Sequence, residues 1–368
     1  MKILFAGGGT AGHINPALAI AKDICEKNKD TEISFVGTAE GLEVSLIPHS
    51  GYNLDLIKIH GFDRSSNLAK IKTLLEIPMA VAASKKIIKR FKPDLVIGTG
   101  GYVCGPVLYA AAKMKIPTFV HESNAFPGIT TKILARYIDK VAIGIEAAKK
   151  HLGDCKNVVF TGTPIRPSIL TVEQKEAREK LGLSDKPFIL IFGGSLGARD
   201  FNKAFADWIC KVKDENKYQI LMGTGKNNQF TAVTERLSAK GYDSEKYKDI
   251  KVTEYIYDMD IAMNAADVVI SRAGASTLAE LTAIGKPAIL VPSPYVTDNH
   301  QEHNARAIEE GGGAKVLLEK DLSTEVIDKL VGEIAGSPET LLEMKKGSLK
   351  MGVSNSADII YNEIMGLL

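Results

Sequence analysis

Two stretches far apart in the chain repeat one order of elements: a short apolar strand, a glycine-rich turn, then a helix. Residues Ile3–Ala6 run into Gly7-Gly8-Gly9-Thr10-Ala11-Gly12-His13, and Phe188–Phe192 run into Gly193-Gly194-Ser195-Leu196-Gly197. A strand that passes through a tight turn into a helix feeds a parallel neighbour. The chain is therefore committed to parallel sheets covered by helices on both faces.

The alternation continues between and after these openings. In the first half, strands are predicted at Ile33–Val36, Leu54–Ile57, Leu95–Ile97, Thr118–Val120 and Lys140–Ile143, with helices over roughly Asn15–Lys27 and Leu68–Arg90. In the second half, strands are predicted at Gln219–Met222, Ile250–Val252, Val268–Ile270 and Ala288–Val291, with a helix from about Arg199. The expected fold class is α/β: two Rossmann-like doubly wound domains facing one another across a cleft. At 368 residues the chain has the length of two domains rather than one. The first is expected over 1–162 and the second over 163–352. Between them Gly162-Thr163-Pro164-Ile165-Arg166-Pro167 forms a stiff, extended connector. The last helix, about Ala357–Leu367 within 353–368, is a candidate to pack back on the first domain.

Composition narrows the class further. No apolar run approaches the roughly 18 residues of a membrane span, so a soluble or peripheral protein is expected. The apolar start Met1–Ala6 breaks off at Gly7 and reads as a buried strand rather than a secretory signal. Cys25, Cys104, Cys155 and Cys210 lie far apart, which suits a reducing compartment and neither a zinc ribbon nor a disulfide framework. The net charge of +2 hides an asymmetry. Residues 1–162 hold 21 Lys and Arg against 14 Asp and Glu, and the remainder 25 against 30. A basic first half suits an anionic surface or a phosphorylated ligand, although such imbalance between domains is also common.

Gly7, Gly9 and Gly12 satisfy G-x-G-x-x-G, which alone fits a nicotinamide enzyme as readily as any other nucleotide binder. That reading wants an acid closing the second strand, and here Glu40 and Glu43 come late. His13 stands where the loop becomes helix and is suited to take a proton from a bound hydroxyl. The alternative is a helix-start histidine bonded to the backbone. A second loop, Gly98-Thr99-Gly100-Gly101-Tyr102, follows the strand Leu95–Ile97. Together Gly8, Gly9, Gly100, Gly101 and Tyr102 read as a diphosphate cradle.

In the second half, Ser195 lies in a phosphate-sized gap at a helix start. Arg272-Ala273-Gly274-Ala275-Ser276-Thr277-Leu278-Ala279-Glu280 again brings small residues to a helix N-terminus, with Glu280 placed to hold both hydroxyls of a ribose. Asp298-Asn299-His300-Gln301 is a polar loop suited to sugar hydroxyls. Asp258-Met259-Asp260 mimics a metal-binding D-x-D but reads as helix capping. His300 and His303 lack a third ligand. No metal, no cofactor and no nucleic acid is expected.

These segments together resemble the MurG family of inverting UDP-N-acetylglucosamine transferases, which have the two-domain GT-B architecture. The resemblance runs from Lys2 to about Leu317. It is carried by Gly8–His13, Gly98–Gly101, His121-Glu122-Ser123-Asn124-Ala125 with Pro127-Gly128, Thr163–Arg166, Gly193–Arg199, Arg272–Glu280 and Asp298–Asn304. It implies that Thr10, Ala11, Gly12 and Asn124 lie beside the transferred sugar and the acceptor, with His13 as base. It implies that Arg166, Ser195, Ile256, Ala275, Ser276, Thr277, Leu278, Ala279, Glu280 and Gln301 hold UDP-N-acetylglucosamine. Ile256 would meet the uracil through its backbone, Glu280 the ribose and Gln301 the sugar. Ala11, Ser123 and Leu196 depart from the family pattern, which has Gly, Gln and Gln there.

The activity implied is transfer of N-acetylglucosamine to the 4-hydroxyl of an undecaprenyl-diphosphate-linked muramyl peptide, in peptidoglycan synthesis at the cytoplasmic face of the cell membrane. The helix region Leu68–Lys92 mixes Leu74, Leu75, Ile77, Met79, Val81, Ile87 and Ile88 with Lys70, Lys72, Lys85, Lys86, Lys89 and Arg90. It reads either as a peripheral contact with an anionic inner leaflet or as an ordinary cover helix. A non-hydrolysing UDP-sugar epimerase or a glycolipid glycosyltransferase on the same architecture, a nicotinamide oxidoreductase and a non-catalytic sugar-nucleotide sensor remain the competing readings.

Overall fold

The computed structural model describes residues 1–60, 67–226 and 228–368, with the side chains of 67–74 excepted. The chain divides into two units, Met1–Ile165 with Asn355–Leu368, and Arg166–Ser354.

In the first unit the strands are β1 (Lys2–Ala6), β2 (Glu32–Gly37), β3 (Asn53–Leu56), β4 (Leu95–Gly98), β5 (Thr118–Glu122), β6 (Lys140–Ile143) and β7 (Val158–Phe160). Among the described residues they form one parallel sheet in the order β3-β2-β1-β4-β5-β6-β7. The helices are α1 (Ala11–Lys27), α2 (Glu43–His49), α3 (Asn67–Phe91), α4 (Cys104–Lys113) and α5 (Ile129–Leu134). Strand β1 is apolar throughout its interior because both faces are covered, and Ile3, Leu4, Phe5 and Ala6 are fully buried. One face packs on Ile88, Val107, Leu108 and Leu134 of α3, α4 and α5. The other packs on Ile14, Ile20 and Ile24 of α1.

The second unit repeats the plan with α6 (Gln174–Leu181), β8 (Phe188–Phe192), α7 (Arg199–Val212), β9 (Gln219–Gly223), α8 (Gln229–Ala239), β10 (Ile250–Thr253) and α9 (Met259–Ala265). There follow β11 (Val268–Ser271), α10 (Ala275–Ala283), β12 (Ala288–Leu290), α11 (His300–Glu310), β13 (Ala314–Val316), α12 (Thr324–Ala335) and α13 (Pro338–Met351). The sheet order, again among the described residues, is β10-β9-β8-β11-β12-β13. Phe201, Phe205, Trp208 and Ile209 of α7 meet Ile327, Val331 and Ile334 of α12 in its core. The last helix, α14 (Ser356–Met365), returns to the first unit. Ile360 and Ile364 join the α1 face, while Lys27 pairs with Asp358 at 2.6 Å and Lys140 with Glu363 at 2.5 Å.

Strand order fixes where a ligand meets each sheet. The order in which strands are added reverses between β1 and β4 and between β8 and β11, and the loops leaving these parallel strands diverge around a crevice at their carboxyl ends. The loops 7–10 and 99–103 flank the first switch point, and 193–198 and 272–274 the second.

Several local expectations need correction. Helix α1 begins at Ala11 rather than near Asn15 and runs through Pro16, so His13 lies within its first turn. Gly12, which the sequence pattern assigns to the turn, is already helical. Helix α2 and the three-residue strands β7 and β13 were not anticipated, being too short to show periodicity. Asp260 lies inside the first turn of α9, where its carboxylate accepts from the Ile261 amide at 3.0 Å, and Asp258 makes no side-chain cap. Of the surface proposed on α3, Ile87 and Ile88 face the core. Leu75, Ile77 and Met79 are exposed, whereas the side chains of Lys70, Lys72 and Leu74 lie outside the described residues.

Candidate functional site

In the first unit the two glycine loops touch. At Gly101, with φ +83°, a Cβ would come within 2.5 Å of the Gly8 carbonyl oxygen. At Gly100, with φ +109°, a Cβ would stand 2.3 Å from His13 Nδ1. The imidazole thus lies against bare backbone, a contact only glycine allows. Thr99 Oγ1 donates to the His13 carbonyl at 2.8 Å, and the His13 amide donates to Thr10 O at 3.1 Å. Thr10 and Gly12 are exposed at the crest, Ala11 and His13 half-buried, and Tyr102 closes over Gly9. Beneath, the Cys104 thiol donates to Ala6 O at 2.8 Å; burial pushes its pKa up to about 12, so it is a pin and not a nucleophile.

Two buried carboxylates shape these loops, neither in a role that the sequence suggests. Glu43 is fully buried. Its Oε2 accepts from the Gly9 amide at 2.9 Å, and its Oε1 from the Thr38 amide at 2.9 Å and hydroxyl at 2.8 Å. Burial opposes its charge, but the hydrogen bonds from Gly9 and Thr38 outweigh burial and hold the carboxyl below its ordinary value. Its side chain occupies the space beside Gly8, Gly37 and Gly41, so the acid weighed as a ribose ligand props the glycine loop instead. The Gly9 amide, assigned to a diphosphate, is therefore already committed to Glu43. Nothing in the local sequence distinguishes an inward acid from an outward one here.

Glu122 acts alike at the end of β5. It accepts from the Asn124 amide and Nδ2, both at 3.1 Å, the Gly128 amide at 3.1 Å and Thr131 Oγ1 at 2.9 Å. These bonds fix the 123–128 loop and orient the Asn124 amide group. His121 is fully buried; burial lowers its pKa, and Nε2 donates to Gly162 O at 2.9 Å, which makes it structural. Ser123 turns inward onto His121 Nδ1 at 3.3 Å, so this departure from the family pattern lies below the surface.

In the second unit, α10 starts at the switch point with no side-chain cap. The first-turn amides of Ala275, Ser276 and Thr277 therefore lack intrahelical acceptors. Leu278 is buried, and its amide closes the turn onto Gly274 O at 3.0 Å, so it supports the site from below. Ala279 and Glu280 are half-buried. Arg272 is no ligand group: it donates to Val291 O at 3.1 Å and Pro292 O at 3.2 Å and pairs with Glu319, tying strand ends together.

Ser195 and Leu196 are exposed on the loop before α7, which rests against Gly225. Ile256 packs its side chain on Gly223. Gln301 Oε1 accepts from the Ser293 amide at 2.9 Å. Arg166 and Glu280 form a two-fold ion pair, Nε to Oε1 at 2.6 Å and Nη2 to Oε2 at 3.0 Å, and the bond to Glu280 raises the Arg166 pKa further. Among the described residues, no three His, Cys, Asp or Glu side chains are grouped to hold a metal.

Comparison with known proteins adds an independent line. Residues 3–143 match the glycosyltransferase family 28 N-terminal domain and residues 188–360 the family 28 C-terminal domain. The chain is 46% identical to the UDP-N-acetylglucosamine--N-acetylmuramyl-(pentapeptide) pyrophosphoryl-undecaprenol N-acetylglucosamine transferase of Acetivibrio thermocellus, over 100% of this chain and 98% of that protein. It is 45% identical to a Bacillus cereus protein of the same description, over 100% and 99%. The crystal structure of Acinetobacter baumannii MurG superposes with a TM-score of 0.80 at 27% identity, covering 99% of both chains.

Proposed function

Since the chain belongs to the family of UDP-N-acetylglucosamine--N-acetylmuramyl-(pentapeptide) pyrophosphoryl-undecaprenol N-acetylglucosamine transferases, we propose that it carries out that transfer, making a peptidoglycan precursor. The observation that carries the reading is the placement of His13 on Gly100 between the two glycine loops of the first unit. This unit takes the acceptor, and the second unit takes the donor.

In the reaction, the muramyl 4-hydroxyl attacks the anomeric carbon from the face opposite UDP. The new C–O bond forms as the bond to the diphosphate oxygen breaks, and configuration inverts. His13 receives the hydroxyl proton, and UDP leaves as an anion. Its charge is met by the amides around Ser195 at the start of α7 and around Ala275–Thr277 at the start of α10, and by Arg166. Glu280 takes the ribose hydroxyls, Ile256 the uracil and Gln301 the sugar. Leu196 offers no polar contact, so Ser195 carries that side of the donor site. With Gly9 committed to Glu43, the acceptor diphosphate is left to Gly8, Gly100, Gly101, Tyr102 and the first turn of α1. Thr10, Ala11, Gly12 and Asn124 lie beside the transferred sugar and the acceptor.

Donor binding separates this reading from an oxidoreductase. UDP at 100 times its Kd should stabilise the protein by about 2.7 kcal/mol, raising Tm by a few degrees. NADH should leave Tm unchanged; the reverse pattern would favour the dehydrogenase.

The acceptor's lipid requires a membrane contact, and no described helix is long and apolar enough to cross a bilayer. The reading places a peripheral contact at exposed Leu75, Ile77 and Met79 with exposed Lys85, Lys86 and Lys89 of α3. Each lysine near an anionic surface contributes about 1 kcal/mol. Co-sedimentation with anionic vesicles should fall steeply with salt, and Leu75→Glu with Met79→Glu should lower it about tenfold or more. Salt-insensitive binding, or wild-type binding by the double variant, would remove this surface from the account.

A further inference from the structure

Arg166 opens the second unit, and its guanidinium matches both oxygens of Glu280 at 2.6 and 3.0 Å. Glu280 is the deeper partner, with its side chain 13% exposed against 47% for Arg166. A fork on a carboxylate is the strong form of an ion pair, because two charge-assisted bonds share one geometry. A ribose presents two hydroxyl donors to a carboxylate in much the same way. Diol and guanidinium therefore compete for the same two oxygens.

From this competition, and resting on the proposed roles of Glu280 at the ribose and Arg166 at the diphosphate, we infer that the Arg166–Glu280 pair determines donor specificity by rejecting ligands that carry the diol without a phosphate. A nucleoside that takes Glu280 strips Arg166 of its counter-charge and offers nothing in return. A nucleoside diphosphate takes Glu280 with its ribose and returns an anion to Arg166, whose planar fork suits phosphate as well as carboxylate. The exchange is then nearly even for UDP and unfavourable for uridine. Discrimination arises from a partner left unpaired, without a steric barrier.

The test is titration of uridine and UDP against wild type, Arg166→Ala and Glu280→Gln, with uridine read by displacement of UDP and folding checked by Tm. Arg166→Ala should weaken UDP about tenfold and strengthen uridine about three- to tenfold, the factor set by release of a partly exposed pair. Opposite signs for the two ligands are the signature. Uridine binding that is unchanged or weaker in Arg166→Ala, alongside weaker UDP, would overturn the inference while leaving a phosphate role for Arg166. Wild-type binding of both ligands by Glu280→Gln would instead overturn the ribose assignment beneath it.

Discussion

Replacing His13 with alanine is expected to cut turnover by about 10²–10⁴-fold, the usual contribution of a positioned general base. UDP binding should stay within about twofold, because the UDP contacts assigned here all lie in the second unit. Tm of the variant, read beside turnover, separates a loss of fold from a loss of chemistry. His13 is half-buried in a first helical turn, and its carbonyl, which accepts from Thr99, is retained. A structural histidine behaves differently: loss of His121, buried and bonded to Gly162, would lower stability before it altered chemistry. The check is single-turnover transfer with saturating donor, beside UDP titration. Turnover near wild type would remove His13 as base.

The second large effect is expected at Glu43. Its two oxygens accept only from donors: Oε2 from Gly9, and Oε1 from the Thr38 amide and hydroxyl. In Glu43→Gln, whichever way the amide turns, its NH2 group meets an N–H. One buried donor is left unsatisfied at about 1–3 kcal/mol, and the loop under His13 shifts. Turnover and Tm should fall together while UDP affinity holds. pH acts in the same direction. The folded carboxyl lies below its ordinary value of 4.5. Its stabilisation is therefore complete above that value and is lost as pH falls through the lower folded value. Glu43→Gln should flatten this acid limb of the stability curve, which pH-dependent melts would show. An unchanged limb and wild-type turnover would mean the carboxylate matters to neither.

Much of the architecture could be read from the chain because central parallel strands, covered on both faces, are nearly continuous apolar runs. Ile3–Ala6 and Phe188–Phe192 announce themselves as central strands, and the glycines after them mark the turns. What stayed hidden depends on tertiary direction. Glu43 and Glu280 are both acids near a strand end, yet one points into the fold and the other to Arg166. No spacing rule separates them. Helix α1 starts ahead of the expected Asn15 because its first turn holds Gly12, which belongs to the G-x-G-x-x-G pattern and reads as loop. The basic-apolar region of α3 mixed two faces, since Ile87 and Ile88 belong to the core and Leu75 and Met79 to the surface. The contact of Gly100 with His13 joins residues far apart in sequence and could be guessed only from two glycine loops at adjacent strand ends.

The central claim is sugar transfer with inversion, run by protein groups and without a metal. Its most direct measurement is incubation of the full chain with radiolabelled UDP-N-acetylglucosamine and a lipid-linked muramyl acceptor, with and without chelator. Label is expected in the lipid product at equal rates in both, with the anomeric configuration inverted. Absence of labelled lipid, retained configuration, or loss of transfer on chelation would contradict it.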